Sequence, residues 1–280
     1  MVTLVLSEFS VRGAGAGMAG QFDLTGKVAI VTGGSRGLGQ YFSRALARAG
    51  ADVAITSRTL EALEPTRKEI EAIGQTALPC LLDTRKIETI QPMVDQVLRR
   101  FGRIDILVNN AGCNIRKPAV DVTPEDWDTV VGTILRGAFF VSTAVARSAM
   151  IPQKQGRIVN IGSGTSLFGM PGISPYCAAR GGMTQMTKAL AAEWAPLGIT
   201  VNVLAPGWFK TPQTGILYED PAWVTNTVAR IPAGRTGLPN DMDGAVVFLG
   251  SDAAAYVTGQ LLFVDGGFSI GAMSALPKKK

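Results

Sequence analysis

The sequence predicts an α/β fold, a doubly wound, seven-stranded parallel sheet with helices on both faces. Three observations predict it. Short β-branched apolar runs alternate with helical stretches about seven times, a glycine-rich turn follows the first run, and no linker or repeat divides the chain. The chain has 280 residues, 46% of them hydrophobic, which is enough for the core of one large domain.

The predicted strands are short apolar runs without a helical period, as in strands that are buried on both faces. They are residues 27–32, 52–57, 76–82, 104–110, 157–162, 200–206 and 260–267. The predicted helices lie between them, at residues 38–49, 60–73, 87–100, 125–150, 174–194 and 241–249, with a loop-and-helix segment before the last.

The long fourth helix has a clear start signal. Thr123 can serve as its N-cap, and Pro124 fits the first helical position. Glu125 and Asp126 follow, where negative charge suits the positive end of the helix dipole. The sequence therefore predicts a helix beginning at Pro124.

The two ends of the chain differ from the rest. We expect a flexible extension over residues 1–20, the folded domain over 21–271 and a tail over 272–280. The apolar run at residues 2–6 is too short for a signal sequence, and Met18 could be an alternative start. We expect no later segment to be long and apolar enough to span a bilayer, so we expect no membrane association.

Composition excludes several kinds of chemistry. Three scattered cysteines without a CxxC pair argue against disulfides and a zinc site, and favour a reducing, cytoplasmic setting. The absence of histidine removes Ser-His catalysis and histidine-ligated metals, and we expect no metal. Acid–base chemistry must therefore use Tyr, Lys, Asp, Glu or Cys.

The positive net charge of +5 raises the possibility of a nucleic-acid partner. Apart from the terminal residues 278–280, the basic residues are spread along the chain, and no basic helix is interleaved with aromatic residues. We therefore expect no nucleic-acid partner, and anionic small ligands would suit the same charge.

The turn "TGGSRGLG" at residues 32–39 joins the first strand to the first helix. Glycines at 33, 37 and 39 allow a sharp turn and a close approach of a pyrophosphate to the helix N-terminus. The spacing differs from GxGxxG, but its place between strand and helix predicts a Rossmann-type dinucleotide site in a single domain.

The end of the second strand indicates which nicotinamide binds. NAD sites usually have a carboxylate there, whereas this strand ends in Ser57 and Arg58. Arg58 and Arg36 could hold a 2′-phosphate, since guanidinium groups pair well with phosphate oxygens. We predict NADP(H) over NAD(H); the alternative is two solvated surface charges.

The stretch "YCAAR" places Tyr176 four residues before Arg180, so a helix would bring both side chains to one face. A tyrosine can donate a proton near neutral pH when a nearby cation favours its phenolate. Tyr176 is therefore a candidate proton donor, with an ordinary helix-face aromatic as the alternative.

These segments resemble the short-chain dehydrogenase/reductase family. The resemblance rests on "TGGSRGLG", "NNAG" at 109–112, "YCAAR", "PGWFKT" at 206–211 and "VTGQLLFVDGG", and it covers about residues 24–268. "NNAGCNIRKP" and "RIPAGRTGLPNDM" look most like the gluconate 5-dehydrogenase and sugar-acid dehydrogenase branch. The resemblance implies a nicotinamide-dependent oxidoreductase, usually a homotetramer.

The resemblance also implies roles for single residues. Ser163 would orient the carbonyl beside Tyr176 and Arg180, Asp83 would receive the adenine amino group, and Thr211 would hold the carboxamide. Asp83 as a helix cap and Ser163 as an ordinary strand-end serine are the alternatives. The cofactor-binding residues expected from the glycine turn, the second strand and the resemblance are Gly33, Ser35, Arg36, Gly37, Leu38, Gly39, Ser57, Arg58, Asp83, Thr84, Asn109, Asn110, Ala111, Gly112, Tyr176, Arg180, Pro206, Gly207, Phe209 and Thr211.

Two positions depart from the family pattern. The family motif has lysine where this chain has Arg180, and the long-helix asparagine that holds a water in the proton path is Ile134. Arginine keeps the charge but cannot relay a proton, and isoleucine cannot bond a water. The chain could be an active reductase with an altered relay, a cofactor-binding protein with little catalysis, or one whose positions were changed deliberately.

The residues after "NNAG" and after "PG" are expected to wall the substrate pocket. Arg116 or Lys117 could hold a substrate carboxylate, and Met170, Trp208 and Phe209 would make the pocket partly apolar. We expect a ketone or secondary alcohol with an acid group, such as a keto-gluconate. A steroid, quinone or acyl-carrier ketone stays an alternative, as do exposed loop charges at Arg116 and Lys117.

Overall fold

A computed structural model describes residues 18–271. After a short 3-10 turn at Met18–Phe22, seven strands form one parallel sheet in the order β3-β2-β1-β4-β5-β6-β7. They are β1 (Val28–Val31), β2 (Asp52–Ser57), β3 (Ala77–Leu81), β4 (Ile106–Asn109), β5 (Gly156–Ile161), β6 (Ile199–Pro206) and β7 (Leu261–Val264).

The sheet reverses its direction of growth beside β1. Ile30 of β1 is in register with Ala54 of β2 on one side and with Leu107 of β4 on the other. In a doubly wound sheet this switch point leaves a crevice at the carboxyl ends of the strands, where ligands bind. The topology therefore places a site beyond the ends of β1 and β4.

Helices cover both faces of the sheet. They are α1 (Gly37–Arg48), α2 (Glu64–Ile73), α3 (Ile90–Phe101), α4 (Pro124–Gln153), α5 (Ser174–Trp194), α6 (Pro221–Val228) and α7 (Asp243–Gly250). Two π-helical turns, Gly132–Arg136 and Ala146–Met150, interrupt α4. The first of these turns carries Ile134, so it bears directly on the site.

The predicted start of α4 is confirmed. The Thr123 hydroxyl accepts a hydrogen bond from the Asp126 amide at 3.2 Å, and the Asp126 carboxylate accepts one from the Thr123 amide at 3.1 Å. Two backbone donors that the first helical turn leaves free are thereby satisfied. Pro124 takes the first helical position, as expected.

The hydrophobic core forms a layer on each side of the sheet. On one face α1 and α7 pack against the sheet through Phe42, Leu46 and Leu249. On the other face α3, α4 and α5 pack against it through residues such as Val94 and Val145. Strands buried on both faces lack polar alternation, which is why continuous apolar runs located them. The prediction of a seven-stranded, doubly wound α/β sheet is confirmed.

The expectation that no segment is long and apolar enough to span a bilayer is wrong for α4. By length and composition, α4 is apolar enough to cross a bilayer, with a mean hydropathy of 1.5 over its best window. In the fold, Val141, Val145 and Met150 on this helix are fully buried in the core layer. Part of the apolar surface of this helix therefore packs against the sheet.

Most element boundaries match within about three residues, and α5 matches its predicted range. The segment between β6 and α7, expected only as a loop and a helix, contains α6 and two 3-10 turns. The expectations for residues 1–17 and 272–280, including the basic run at 278–280, lie outside the described residues.

Candidate active site

A large cavity opens at the carboxyl ends of the strands. Its volume is about 1550 Å³, and the loops after β1, β2, β3, β4, β5 and β6 line it. Drug-sized ligands occupy roughly 300–1,000 Å³, so this cavity has room for a dinucleotide together with a substrate. Apart from Asn109, every residue that the sequence singled out as catalytic, cofactor-binding or substrate-binding lines it.

The glycine-rich turn forms one end of the cavity. Gly33 has a φ of +65°, and a Cβ placed on Gly39 would lie only 2.2 Å from the Gly33 carbonyl oxygen. Only glycine fits at Gly39, because any side chain would collide with backbone rather than with a movable group. The turn is thereby held against the N-terminus of α1, where amide groups and the helix dipole favour an anion.

Two arginines border the cavity next to this turn. Arg36 is the N-cap residue of α1 and Arg58 follows β2, and both side chains are exposed. Among residues 18–271 neither one has a carboxylate within ion-pair distance. Two free guanidinium groups therefore lie where the sequence predicted a 2′-phosphate.

Asp83 is already engaged by a neighbour. Its carboxylate accepts hydrogen bonds from Arg85 Nη2 at 3.0 Å and from Arg85 Nε at 3.2 Å. These bonds lower the pKa of Asp83, and the charge of Arg58 lowers it further. Asp83 also accepts from the Arg85 amide and lies on the cavity wall, but it caps a turn and not the following helix, whose N-cap residue is Thr89.

The segment after β4 is fixed by hydrogen bonds to β1. The Asn110 amide group donates to the carbonyls of Thr32 and Gly33 at 2.9 and 3.1 Å. The Thr32 hydroxyl accepts from the backbone of Ala111 at 3.0 Å. These bonds tie the two strands together at the switch point and leave Ala111 and Gly112 on the cavity surface.

Asn109 lies outside the cavity lining, contrary to the expectation that it lines the cofactor. Its side chain is buried and donates at 2.8 Å to both Ser142 and Asn160, and Asn160 donates to Thr187 at 2.8 Å. The last residue of a buried strand points into the core here, so Asn109 links β4 and β5 to α4 and, through Asn160, to α5.

The candidate catalytic pair lies where β5 ends and α5 begins. Ser163 caps a 3-10 turn and accepts a hydrogen bond from the Thr165 amide at 3.3 Å. Tyr176, in the first turn of α5, is half-buried and lines the cavity. Ser163 and Tyr176 therefore line the same cavity.

Arg180 is buried behind Tyr176. Its guanidinium carbon lies 5.0 Å from the Tyr176 ring centroid, and Nη1 donates to the Ile161 carbonyl and lies 3.9 Å from the Met183 sulfur. Arg180 Nε has no hydrogen-bond partner within the described part of the chain. A permanent, largely dehydrated cation therefore lies against the tyrosine ring, as the i, i+4 spacing predicted.

Ile134 borders the same guanidinium from the long helix. Its side chain is fully buried in an apolar cluster with Ala179 and Met183. A Cβ placed on Gly112 would be 3.0 Å from Arg180 Nη2 and 3.6 Å from Ile134 Cγ1. The two departures from the family pattern therefore meet at one point, across Gly112.

The loop after β6 forms another part of the cavity wall. Thr214 holds it by accepting from the Thr211 amide at 3.0 Å and donating to the Phe209 carbonyl at 2.6 Å. A Cβ on Gly207 would lie 2.6 Å from the Asp265 Cα, so this position also needs glycine. Thr211 and its neighbours are thus held rigidly on the cavity wall.

The two basic residues after "NNAG" differ in their environment. The Lys117 ammonium forms an ion pair with the Asp126 carboxylate at 2.5 Å, so its charge is already compensated within the protein. Arg116 is exposed on the cavity lining, and no acid lies within ion-pair distance among the residues described. Of the two candidates for a substrate carboxylate, only Arg116 has a free charge.

An aromatic wall, most of which the sequence did not predict, forms part of the cavity lining. Its members Phe168, Phe268, Trp208 and Trp223 touch in series, with ring centroids 4.9 to 6.2 Å apart. Of these only Trp208 was predicted. The guanidinium of Arg230, also missed, lies 5.4 Å from the Phe268 centroid and lines the cavity.

Within the described residues, no group of three or more His, Cys, Asp and Glu side chains forms a possible metal site. The ionisable and polar groups on the cavity lining include the Tyr176 phenol, several serine and threonine hydroxyls, the Asp83 carboxylate and several guanidinium groups.

Comparison with known proteins agrees with this geometry. The family model described as "Enoyl-(Acyl carrier protein) reductase" matches residues 33–269. Gluconate 5-dehydrogenase of Gluconobacter oxydans is 41% identical over 249 residues, which cover 89% of this chain and 97% of that protein. A 3-oxoacyl-(acyl-carrier-protein) reductase of Thermotoga maritima is 38% identical, over 88% of this chain and 99% of that protein.

A solved structure shows the same architecture. It is a gluconate 5-dehydrogenase from Burkholderia cenocepacia in complex with NADP and tartrate, 38% identical, with a TM-score of 0.87 over 91% of this chain and 99% of that one. The fold, the strand–turn–helix glycine motif and these matches over nearly the whole chain agree. The chain belongs to the short-chain dehydrogenase/reductase family of oxidoreductases.

Proposed function

We propose that this protein is an NADP(H)-dependent oxidoreductase that transfers a hydride between nicotinamide and a ketone or secondary alcohol carrying an acid group, such as a keto-gluconate. The observation that carries the proposal is that Ser163, Tyr176 and Arg180, with the guanidinium beside the tyrosine ring, line the same cavity as the glycine-rich turn.

NADPH, when bound, supplies the hydride that reaches the carbonyl carbon. The residues of the chain then stabilise and protonate the carbonyl oxygen of the substrate. Ser163 donates a hydrogen bond to the carbonyl oxygen as negative charge develops on it, and Tyr176 gives that oxygen its proton. In the alcohol-oxidising direction the same tyrosine removes the proton, since one group serves both directions.

Arg180 contributes a fixed charge to this step. A guanidinium beside the phenol stabilises the phenolate that remains after proton transfer. Because arginine stays protonated at any working pH, it cannot hand a proton to Tyr176. Tyr176 must therefore be reprotonated from the water-accessible cavity, and we expect slower turnover than with a lysine relay.

The preference for NADP(H) is supported by Arg36 and Arg58. Both are exposed on the cavity lining, and neither has an acid partner among residues 18–271, so both charges are available to a 2′-phosphate. The Burkholderia cenocepacia relative was solved with NADP.

An acid group on the substrate is supported by Arg116, whose free guanidinium lies on the substrate side of the cavity. The Gluconobacter oxydans relative is named for gluconate, and the Burkholderia cenocepacia relative was solved with tartrate, a hydroxy diacid. The aromatic wall would suit the C–H face of a sugar acid.

A second function, cofactor binding with little or no catalysis, has its own support. Arg180 turns inward to the Ile161 carbonyl, and Ile134 seals the interior behind it with apolar surface. If Tyr176 cannot regain its proton fast enough, the chain would bind NADPH without useful turnover.

We also propose that the protein is a cytoplasmic homotetramer without nucleic-acid or membrane partners. The exposed rings of Phe139 and Phe140 on α4 support self-association, because large apolar groups on a surface commonly mark an interface. Sedimentation at micromolar protein would test the tetramer.

The test of function is NADPH oxidation with a panel of keto sugar acids and simple ketones, using Tyr176→Phe as the blank. Tyr256→Phe is the matched control, because Tyr256 is fully exposed and outside the cavity lining. The reductase function is supported if turnover falls by about 10²-fold or more in Tyr176→Phe and is unchanged in Tyr256→Phe. Tight NADPH binding by the wild type without turnover above the blank supports the binder.

A further inference from the structure

We propose that Arg230, stacked on Phe268, is the principal residue that binds the acid group of the substrate, with Arg116 in a lesser role at the cavity mouth. The inference rests on the proposed function, because it concerns the substrate half of the same cavity. The proposal assigns the specificity for acidic substrates mainly to Arg230 and only in a smaller part to Arg116.

The first argument is the position of Arg230. It follows α6, two residues after Val228, and lies on the cavity lining beside Thr227. Its backbone amide donates to the Thr227 carbonyl at 3.1 Å, which anchors the residue to the end of that helix. The guanidinium is therefore presented from a defined element rather than from a free loop.

The second argument is the support under the guanidinium. It lies 5.4 Å from the Phe268 centroid, and Phe268 packs in turn against Phe168 at 5.6 Å and Trp208 at 6.2 Å. An arginine stacked on an aromatic face keeps its donors free at the edge, ready for a carboxylate fork. Less conformational entropy is then lost when the acid binds.

The third argument is charge. Across residues 18–271, no carboxylate lies within ion-pair distance of Arg230, whereas Arg235, five residues on, is paired with Asp241 at 2.5 Å. Arg116 also has a free charge, but no hydrogen bond or aromatic contact orients its guanidinium in the described structure. Arg230 is thus the better-prepared anion site of the two.

The chemistry follows from these neighbours. The carboxylate would lie on Arg230, and the carbon chain would lie along the aromatic wall toward Tyr176 and Ser163. A hydroxylated acid presents C–H groups to such rings, while its carboxylate takes two parallel hydrogen bonds from the guanidinium. The selected class is a ketone or secondary alcohol with a carboxylate at its distal end.

The experiment compares Arg230→Gln, Arg116→Gln and Arg100→Gln. Arg100 is the matched control, since its guanidinium stacks on Phe101 at 5.2 Å on the surface of α3, away from the cavity. Two substrates are used, 5-keto-D-gluconate and L-sorbose, which has a hydroxymethyl group in place of the carboxylate.

With Arg230→Gln we expect KM for 5-keto-D-gluconate to rise about 10- to 100-fold, the value of a charge-assisted hydrogen bond, with kcat nearly unchanged. KM for L-sorbose should stay within about twofold. Arg116→Gln should have a smaller effect, Arg100→Gln none, and Arg230→Lys should recover part of the loss. An equal rise for both substrates, or a larger effect at Arg116, overturns the proposal.

A binding readout keeps the test independent of turnover. Calorimetric titration of tartrate and of 5-keto-D-gluconate into the protein with saturating NADP⁺ should show the largest loss of affinity in Arg230→Gln, a smaller loss in Arg116→Gln and none in Arg100→Gln. If the wild type binds neither acid, the proposal fails. Turnover of neutral ketones that Tyr176→Phe abolishes would then still sustain the oxidoreductase function.

Discussion

The guanidinium carbon of Arg180 lies 5.0 Å from the ring centroid of Tyr176, one helical turn earlier on α5. Nη1 of the same arginine donates to the Ile161 carbonyl at the end of β5, so the cation is held between the strand and the tyrosine. The charge that the proton donor needs is thus present, but in a group that cannot exchange protons.

The first prediction concerns coupling between Arg180 and Ile134. We expect Arg180→Lys alone to raise kcat little, because Ile134 still cannot bond a water. Ile134→Asn alone should destabilise the protein by about 2–4 kcal/mol, since it places an amide in a fully buried apolar cluster. The double variant should raise kcat about tenfold over the product of the single effects.

The measurement is a double-mutant cycle on kcat, with urea unfolding of each variant. Additive effects within the error would show that the two positions act separately. That result would contradict a shared relay across Gly112.

The second prediction concerns Gly112. A methyl group there would lie 3.0 Å from Arg180 Nη2, so Gly112→Ala should displace the guanidinium and lower kcat by about tenfold or more. Adding Arg180→Lys should recover part of the loss, because a lysine lacks the second nitrogen of the fork.

Gly181→Ala is the control, because Gly181 is next to Arg180 on α5 and has open space around its Cβ. We expect it to keep kcat and to gain about 0.5–1 kcal/mol in the free energy of unfolding. A Gly112→Ala variant with wild-type kcat would show that Arg180 moves without consequence for the reaction.

The third prediction concerns the choice of cofactor. Arg58→Asp should weaken NADPH binding and improve NADH binding, since a carboxylate repels a 2′-phosphate and can accept from ribose hydroxyls. The ratio of kcat/KM for NADPH to that for NADH should fall about 100-fold. Arg99→Asp, an exposed position on α3 outside the cavity lining, controls for the change in net charge. An unchanged ratio would mean that Arg58 is only a solvated surface charge.

The fourth prediction concerns pH. Hydrogen bonds from Arg85 lower the pKa of Asp83 below 3.8, its ordinary value. A carboxyl group with a lowered folded-state pKa stabilises the protein above its unfolded-state pKa, and that contribution disappears as the pH falls through the folded-state value. Asp83→Asn should therefore lower Tm at pH 6 and have a smaller effect at pH 3. Equal shifts in Tm at both pH values would contradict an ionic role.

Much of the fold could be predicted from local sequence, because buried parallel strands are continuous apolar runs and glycines follow the helices. The glycine-rich turn and the Tyr176–Arg180 pair were also predictable, since their spacing in sequence fixes their spacing in space. The start of α4 was predicted correctly, because its cap is made by residues three apart.

The substrate half could not be predicted in the same way. Phe168, Trp208, Trp223 and Phe268 come from four segments that meet only after the sheet has formed, and no local period connects them. The pairing of Lys117 with Asp126 likewise depends on how the loop after β4 returns to α4. Asn109 was expected on the cavity wall but lies in the core, whereas the next residue, Asn110, lines the cavity. Successive residues at a strand end point in opposite directions, so an error of one residue reverses the prediction.

The order of the cavity-lining segments along the chain has a consequence for engineering. The cavity wall with the glycine-rich turn and the two free arginines is built by residues 33–112 and the aromatic wall by residues 168–268, with β5 between them in register with both β4 and β6. A chimera joined within β5 would therefore exchange the aromatic wall of one relative for that of another while the glycine-rich turn, Arg36 and Arg58 stay unchanged. Substrate range and coenzyme choice should be separately exchangeable traits of this scaffold.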